Sequence, residues 1–316
     1  MTARIRAVRA GWMSMAMLAL VSVLLLVAVL AHGAAALYLA NELTRSPRRR
    51  VRGTPADRGL HYEEVRFHTV DRVRLHGWFI ESPGARATVV VVHDGGGTRA
   101  DETQGLLQLQ HEHVRRGFHV LAFDLRGRGE SPGGRDRLGG PELRDVVAAI
   151  TYASRRAPEL PVLLHGFGVG ATLALEAVAV AESRVAAVIA DSPIASMREQ
   201  SRWQHPRVPG YLFGLACVAA RRLFAADVDA LDPLAAVARA GEVPVYFVCG
   251  ELDEHVPPSQ TLNIAAASLS SRHEVWVAPE AGHCGAYLAY PEEYLRRVNA
   301  FVEHAVPARL AIAFAG

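Results

Sequence analysis

Between about residue 61 and residue 304, short β-rich runs alternate with helical segments, and this alternation limits the chain to few folds. Ala87–Val92 is a continuous apolar run, as expected for a strand that is buried on both faces. The predicted strands are 61–70, 72–80, 87–92, 118–123, 162–164, 185–190, 243–248 and 274–277. The predicted helices are 101–116, 141–156, 169–182, 258–269 and 291–303. The first two strands read as an antiparallel pair, and the rest predicts an α/β fold with a mostly parallel, doubly wound sheet.

One segment departs from the alternation. Residues 192–240 separate two predicted strands by about 50 residues, which exceeds the usual connection in an α/β fold. Within it, residues 211–224 and 233–240 have helical patterns. We predict a helical cap insertion over a site; the alternative is a set of packing helices that only extend the fold.

An uncharged apolar segment lies near the N-terminus. Residues 12–31 are 20 almost unbroken apolar residues, which as a helix can cross a hydrocarbon core of about 30 Å. Trp12 and Tyr38 bracket the segment, and amphipathic rings favour the two membrane interfaces. A cleaved signal peptide is the alternative, but its apolar region would exceed the usual length of about 7–15 residues. We therefore predict an uncleaved, single-pass anchor that contacts the lipid bilayer through residues 11–40.

The formal net charge of +2 conceals two oppositely charged parts. Residues 1–52 contain eight arginines and one acid, whereas residues 53–316 contain 26 arginines and 31 acids. An acidic body excludes a general nucleic-acid-binding surface. Five arginines follow the apolar segment and three precede it, so the positive-inside rule predicts a cytoplasmic body. The absence of lysine, with abundant alanine, is typical of a G+C-rich bacterial genome.

These patterns divide the chain into five parts. The predicted parts are a basic tail (1–10), a transmembrane helix (11–40), a basic linker (41–60), the α/β domain (61–305, with the cap insertion at 192–240) and a C-terminal tail (306–316).

Glycine-rich and polar motifs follow several predicted strands, at the ends where open α/β sheets bind ligands. The run after the third strand is His93-Asp94-Gly95-Gly96-Gly97, whose glycines would let backbone N–H groups approach a developing oxyanion. Later strands are followed by Gly250-Glu251-Leu252-Asp253 and by Gly282-His283. Because the carboxyl ends of parallel strands meet at one edge of the sheet, these motifs predict a single site there.

With these motifs the chain resembles the α/β-hydrolase superfamily, in its serine aminopeptidase-like and lysophospholipase-like branch, over about residues 62–304. In that family a Gly-x-Ser-x-Gly turn carries the nucleophile and is followed along the chain by the acid and the histidine. The matching turn here is Gly166-Phe167-Gly168-Val169-Gly170. The resemblance implies Asp253 as the triad acid, His283 as the base and position 168 as the nucleophile. It also implies an oxyanion or ligand-binding loop that comprises His93, Asp94, Gly95, Gly96 and Val169.

The nucleophile position departs from the family pattern, because Gly168 has no side chain that could attack a carbonyl. In subtilisin, loss of the nucleophilic serine lowers turnover about 10⁶-fold. We therefore predict a degenerate serine hydrolase that binds a small acyl or ester-like ligand, or a protein partner, beneath the cap. If the rest of the triad is intact, Gly168→Ser is expected to restore esterase activity.

Two other functions are compatible with the sequence. An active ester or amide hydrolase could use His283 and Asp253 with water or with another nucleophile, for which the residues considered are Thr98, Ser131, Thr172, Ser192 and Cys284. Alternatively, Gly166-x-Gly168-x-x-Ala171 fits the dinucleotide-binding pattern, with Asp191 near the expected ribose-binding position. No Cys/His cluster has metal-ligand spacing. We predict no metal and no cofactor, and the oligomeric state stays open.

Overall fold

The computed structural model describes residues 2–45, 48–181 and 184–305, and side chains from residue 12 onward. The predicted C-terminal tail, 306–316, lies outside the described residues. The strands are β1 Glu63–His68, β2 Arg74–Ile80, β3 Ala87–Val92, β4 Phe118–Phe123, β5 Val162–Phe167, β6 Val185–Asp191, β7 Val245–Gly250 and β8 Glu274–Ala278. The helices are α1 Thr2–Thr44, α2 Leu106–Arg115, α3 Leu143–Arg156, α4 Val169–Val180, α5 Met197–Gln204, α6 Gly210–Phe224, α7 Pro233–Arg239, α8 Pro258–Ala267, α9 Ala286–Ala289 and α10 Pro291–Ala305.

The eight strands form one sheet in the order β1-β2-β4-β3-β5-β6-β7-β8. β2 pairs antiparallel with both β1 and β4, and every other pairing is parallel. In the centre, Val89 lies between Val120 of β4 and Leu163 of β5. This order confirms the predicted mostly parallel, doubly wound sheet and brings the carboxyl ends of β3, β5, β7 and β8 to one edge.

Helices cover both faces of the sheet because both faces are apolar. On one face, Ala149 of α3, Leu173 of α4 and Ile264 of α8 pack on the strands. On the other, Leu106 of α2 and Phe301 of α10 do so. Burial on both sides accounts for the continuous apolar runs of the central strands.

The insertion at 192–240 contains three helices, of which α5 is absent from the predicted set. Val237 of α7 belongs to the same apolar core as α4, so α7 extends the fold as a packing helix. α5 and α6 form a separate apolar cluster, to which Met197 and Phe213 belong and on which Val169 packs. α5 and α6, which pack apart from the sheet core, are called the cap helices below, and the alternative of packing helices applies to α7.

The N-terminal helix α1 ends at Thr44, four residues beyond the predicted boundary at residue 40. Its segment Trp12–Thr44 is long and apolar enough to cross a membrane. Leu39 and Ala40 are buried against α6, and this packing continues the helix into residues whose polarity had predicted a linker. The following segment also lies on the body, because the Arg48 guanidinium donates hydrogen bonds to the carbonyls of Gly129 (2.7 Å) and Ser131 (2.8 Å).

The loops after β3 and β4 are held together by the fully buried carboxylate of Asp124. Its oxygens accept the backbone N–H groups of Arg99 and Glu130, each at 2.9 Å. The Arg99 guanidinium also pairs with this carboxylate and stacks on Trp78. Asp124 thus fixes the two loops that border the carboxyl edge of the sheet.

We expect Asp124→Ala to lower the free energy of unfolding by about 3–5 kcal/mol, because it leaves the buried Arg99 guanidinium without this partner. Asp124→Asn keeps the size and one acceptor, so its cost should be smaller. Chemical denaturation of the full chain in detergent measures both. Asp229→Ala is the matched control: it breaks an exposed pair with Arg198, for which about 0–1 kcal/mol is expected. Equal effects of Asp124→Ala and Asp229→Ala would contradict the role given to Asp124.

Candidate active site

The predicted nucleophile elbow is a sharp turn between β5 and α4. Gly168 has φ 53° and ψ −118°, a conformation that strains a residue with a side chain. A Cβ atom at Gly166 would overlap the backbone of Gly170 and Ala171, and one at Gly170 would overlap the carbonyls of Val92 and His93. The two flanking glycines therefore allow strand, turn and helix to approach closely. Phe167, between them, is buried and stacks on His165 instead of facing the site.

The predicted acid and base lie together, as the resemblance implies. His283 Nδ1 donates to Asp253 Oδ2 at 2.8 Å. The other oxygen of Asp253 accepts the N–H groups of His255 (2.9 Å) and Val256 (2.7 Å), so the carboxylate is fixed in its turn after β7. This arrangement orients the Nε2 edge of His283 toward the elbow side of the site.

The carboxylate of Asp94 lies directly over Gly168. Asp94 Oδ1 accepts the backbone N–H of Val169 at 2.8 Å, and Oδ2 lies 3.8 Å from His283 Nε2. A Cβ atom at residue 168 would overlap Oδ1. Asp94 therefore fills the space of the absent side chain and accepts the N–H group that would stabilise an oxyanion in an active relative.

This position of Asp94 corrects two expectations. The predicted oxyanion loop is present, but the Val169 N–H donates to the Asp94 carboxylate and is not free to bind an oxyanion. Gly168→Ser is not expected to restore activity alone, because a serine at 168 would meet the Asp94 carboxylate. Recovery requires that Asp94 be changed as well.

The other residues of the predicted oxyanion loop have distinct positions. His93 is fully buried and does not face the cavity: its Nδ1 donates to the Asp94 carbonyl (2.7 Å), and its Nε2 accepts the Leu125 N–H (3.0 Å). It therefore joins the loops after β3 and β4, and its burial lowers its pKa. Gly95 and Gly96 line the cavity, and the Gly95 carbonyl accepts a hydrogen bond from Arg128.

The two carboxylates determine the charge of His283. Burial by itself would lower the pKa of His283, but Asp253 and Asp94 outweigh it and hold the pKa well above its ordinary value. Burial would likewise raise the pKa of Asp94, but His283 and the Val169 N–H hold it below its usual range. The two carboxylates thus favour the imidazolium form of His283. An imidazolium has no free nitrogen with which to act as a general base.

The alternative nucleophiles are engaged elsewhere. Ser131 Oγ donates to the Asp124 carbonyl (2.6 Å), Thr172 Oγ1 accepts the Ile194 N–H (2.8 Å), and Ser192 Oγ donates to Asp191 (3.0 Å). Thr98 lines a separate groove with Arg49 and Arg52. Cys284 Sγ lies 3.6 Å from His283 Nε2, but burial raises the pKa of its thiol to about 12. None of the five presents an activated nucleophile.

The structure also tests the dinucleotide-binding alternative. Asp191, the expected ribose-binding acid, is fully buried at the end of β6 and accepts hydrogen bonds from Ser192 (3.0 Å) and Tyr294 (3.2 Å). It cannot reach a ribose. Among the described residues, no group of three or more His, Cys, Asp or Glu side chains could hold a metal ion.

A cavity of about 330 Å³ lies above the elbow, within the size range of small-molecule sites. His283, Asp94 and Val169 form its floor, α5 contributes Met197 and Gln200, and the end of α1 contributes a third wall. α5 is fixed over the site because the Gln200 side chain donates to the His255 carbonyl at 2.5 Å. The wall formed by Glu42, Leu43 and Arg45 could not be predicted, because it depends on how α1 docks on the body.

We expect His283 to stay protonated through neutral pH. Since its folded-state pKa lies above the unfolded value, its contribution to stability is complete below about pH 6.5 and is lost as the pH rises through the folded value. NMR titration of the labelled histidines, with His283→Gln for assignment, measures this pKa. Asp94→Asn keeps the shape and removes the charge, so it should lower the pKa of His283. A His283 that titrates near pH 6.5, unchanged by Asp94→Asn, would contradict this account.

Comparison with known proteins agrees with this architecture. The family described as "Serine aminopeptidase, S33" matches residues 83–220. The Pyrococcus furiosus esterase Pf2001 is similar in structure, with a TM-score of 0.69 and 24% identity over 83% of this chain and 98% of that one. The uncharacterized membrane protein YNL320W of Saccharomyces cerevisiae is 23% identical over 230 residues, which are 73% of this chain and 76% of that protein.

A shorter similarity connects the chain with a lipase. The lysophosphatidylserine lipase ABHD12 of Gallus gallus is 29% identical over 133 residues, which are 41% of this chain and 34% of that protein. The sheet order, the elbow, the Asp253–His283 pair and these similarities agree with one another: the chain has the α/β-hydrolase fold and is similar to the serine aminopeptidase family over residues 83–220.

Proposed function

We propose that the chain is a membrane-anchored binding protein of the hydrolase fold, which holds a small acyl or ester-like ligand above Gly168 without hydrolysing it. The observation that carries this proposal is the Asp94 carboxylate over Gly168, bonded to Val169 N–H. Besides the missing nucleophilic hydroxyl, this carboxylate opposes hydrolysis in two ways. It occupies Val169 N–H, the oxyanion donor, and it favours the imidazolium form of His283.

The cavity favours a small ligand over a protein partner. Its volume of about 330 Å³ and its cover by α5 suit a small molecule, whereas a partner chain would need an open surface. The lining combines Leu43, Met197 and Val256 with charged Arg45 and Asp94. An amphiphile with one acyl chain matches this mixture, and the similarity to a lysophosphatidylserine lipase supports the same ligand class.

A second function, slow hydrolysis by activated water, is favoured by one observation. The His283–Asp253 hydrogen bond has the length expected in a working pair, 2.8 Å. A water beside His283 Nε2 could be activated only in molecules whose His283 has lost its proton. This function therefore predicts turnover that rises with pH and that His283→Ala abolishes.

The arginines on either side of the apolar segment 12–31, five after it and three before it, favour a body on the cytoplasmic side, with α1 retained as an anchor. In a bacterial host, we expect a C-terminal alkaline phosphatase fusion to be inactive and a C-terminal green fluorescent protein fusion to fluoresce. The purified membrane-bound chain should have its full mass of 34.1 kDa. An active phosphatase fusion would contradict the predicted cytoplasmic position of the body. A purified chain that begins near residue 36 would show that the N-terminal segment is a cleaved signal peptide.

Labelling with a fluorophosphonate tests the proposed function. We expect the wild type and Gly168→Ser to remain unlabelled, because Asp94 blocks position 168 and keeps His283 protonated. Gly168→Ser combined with Asp94→Ala should be labelled at position 168, because the double change supplies the hydroxyl, frees Val169 N–H and lowers the pKa of His283.

The control is the triple variant with His283→Ala, which should lose the labelling. Labelling of any serine in the wild type, or labelling of Gly168→Ser alone, would refute the blocked-site account. Ester hydrolysis by the wild type that His283→Ala abolishes would select the second function.

A further inference from the structure

The cap helix α6 runs parallel to the C-terminal third of α1. At one end, His32 Nδ1 donates to the Ala28 carbonyl (2.7 Å), which leaves Nε2 to accept the hydroxyl proton of Tyr211 (3.1 Å). At the other end, Arg135 donates to Thr44 Oγ1 (3.1 Å) and stacks on the Phe224 ring (4.1 Å). α6 therefore extends from the body toward the segment that can cross a membrane.

Helix geometry gives the level that α6 reaches. Residues 12–31 suffice to cross the hydrocarbon core, so a span that begins at Trp12 would place His32 at its far boundary, and Tyr211 lies beside His32. From His32 to Thr44, α1 rises about 18 Å at about 1.5 Å per residue. The same rise places Val218 about 10 Å and Arg222 about 16 Å from Tyr211, toward the body. With such a span, the first two turns of α6 would be level with the lipid headgroups.

The two faces of α6 have different surroundings. Phe213, Ala216, Cys217 and Ala220 are buried in the cluster that contains Leu39 and Ala40 of α1. The opposite face is apolar and open: Tyr211 is 59%, Leu215 49% and Val218 59% exposed. These three residues are spaced four and three apart, so they form one stripe. Arg222, four residues after Val218, continues that stripe with a charge on the side of the body.

We infer that the exposed stripe Tyr211, Leu215 and Val218 lies in the headgroup and upper acyl region of the bilayer, so that α6 is a second membrane contact beside the anchor. The bilayer is favoured over a second copy of the chain because the stripe continues the exposed apolar surface of α1, which at this level includes Leu37 and Tyr38. The stripe also changes from apolar residues near Tyr211 to the basic Arg222 on the side of the body. A bilayer changes in the same direction, from acyl chains to anionic headgroups. The inference rests on α1 crossing the membrane, as the proposed function states.

Site-specific fluorescence tests this contact in the full chain, reconstituted into nanodiscs of phosphatidylcholine and phosphatidylglycerol. Leu215→Cys is labelled with an environment-sensitive dye, and Leu20→Cys at the middle of the span reports the anchor. Leu269→Cys, at a 68% exposed position after α8, reports water. The native thiols Cys217, Cys249 and Cys284 are buried, and the parent chain, treated in parallel, shows any background labelling.

We expect the dye at 215 to lose emission to nitroxides near the lipid headgroups and to be shielded from aqueous iodide. At 20, nitroxides deep in the acyl chains should quench more strongly, and at 269 only iodide should quench. Quenching at 215 by iodide alone would overturn the inference. Shielding at 215 from both quenchers would assign the stripe to a second copy and also overturn it. Lack of lipid quenching at 20 would show instead that the anchor itself, and with it the membrane part of the proposed function, has failed.

Discussion

The hydrogen bond from Val169 N–H to the Asp94 carboxylate organises the whole site. It can form only because residue 168 has no Cβ atom, and it places the second carboxylate oxygen 3.8 Å from His283 Nε2. The imidazole is then held between Asp94 and Asp253, which favours its charged form. Gly168, which departs from the family pattern at the elbow, and Asp94 of the oxyanion loop are therefore sterically complementary. The residues at the positions of a hydrolase triad and oxyanion loop are thus joined by ionic and hydrogen-bonded contacts to one another.

Much of this fold could be predicted from the sequence, because parallel strands buried on both faces are continuous apolar runs. β3 and β4 were predicted to the residue. The roles of Asp253 and His283 as acid and base were implied by the family resemblance, and both residues follow strands that end at the same edge. The place of the Asp94 side chain could not be predicted: it depends on a rotamer and on the missing Cβ atom of a residue 74 positions later. α5 was missed because six of its eight residues are polar, and its buried face includes the polar Gln200 and Ser201 beside Met197.

The C-terminal end of α1 packs on the body, which the composition of the chain did not indicate. Polar residues after position 40 predicted a linker, yet the packing of Leu39 and Ala40 on α6 extends the helix to Thr44. As a result, Glu42, Leu43 and Arg45 form a wall of the cavity above Gly168. The same docking places α6 beside the segment that is long and apolar enough to cross a membrane. The cavity, α5, α6 and the end of α1 thus form one structural unit.

The central claim is that the Asp94 carboxylate fills the space that a side chain at residue 168 would need. A double-mutant cycle on the free energy of unfolding tests this claim directly. Gly168→Ala, Asp94→Ala and their combination are compared by chemical denaturation. With Asp94 present, Gly168→Ala adds a steric overlap to the backbone strain of the elbow; without it, only the strain is left. We predict a coupling free energy of about 1–3 kcal/mol. Additive effects, within about 0.5 kcal/mol, would contradict the claim.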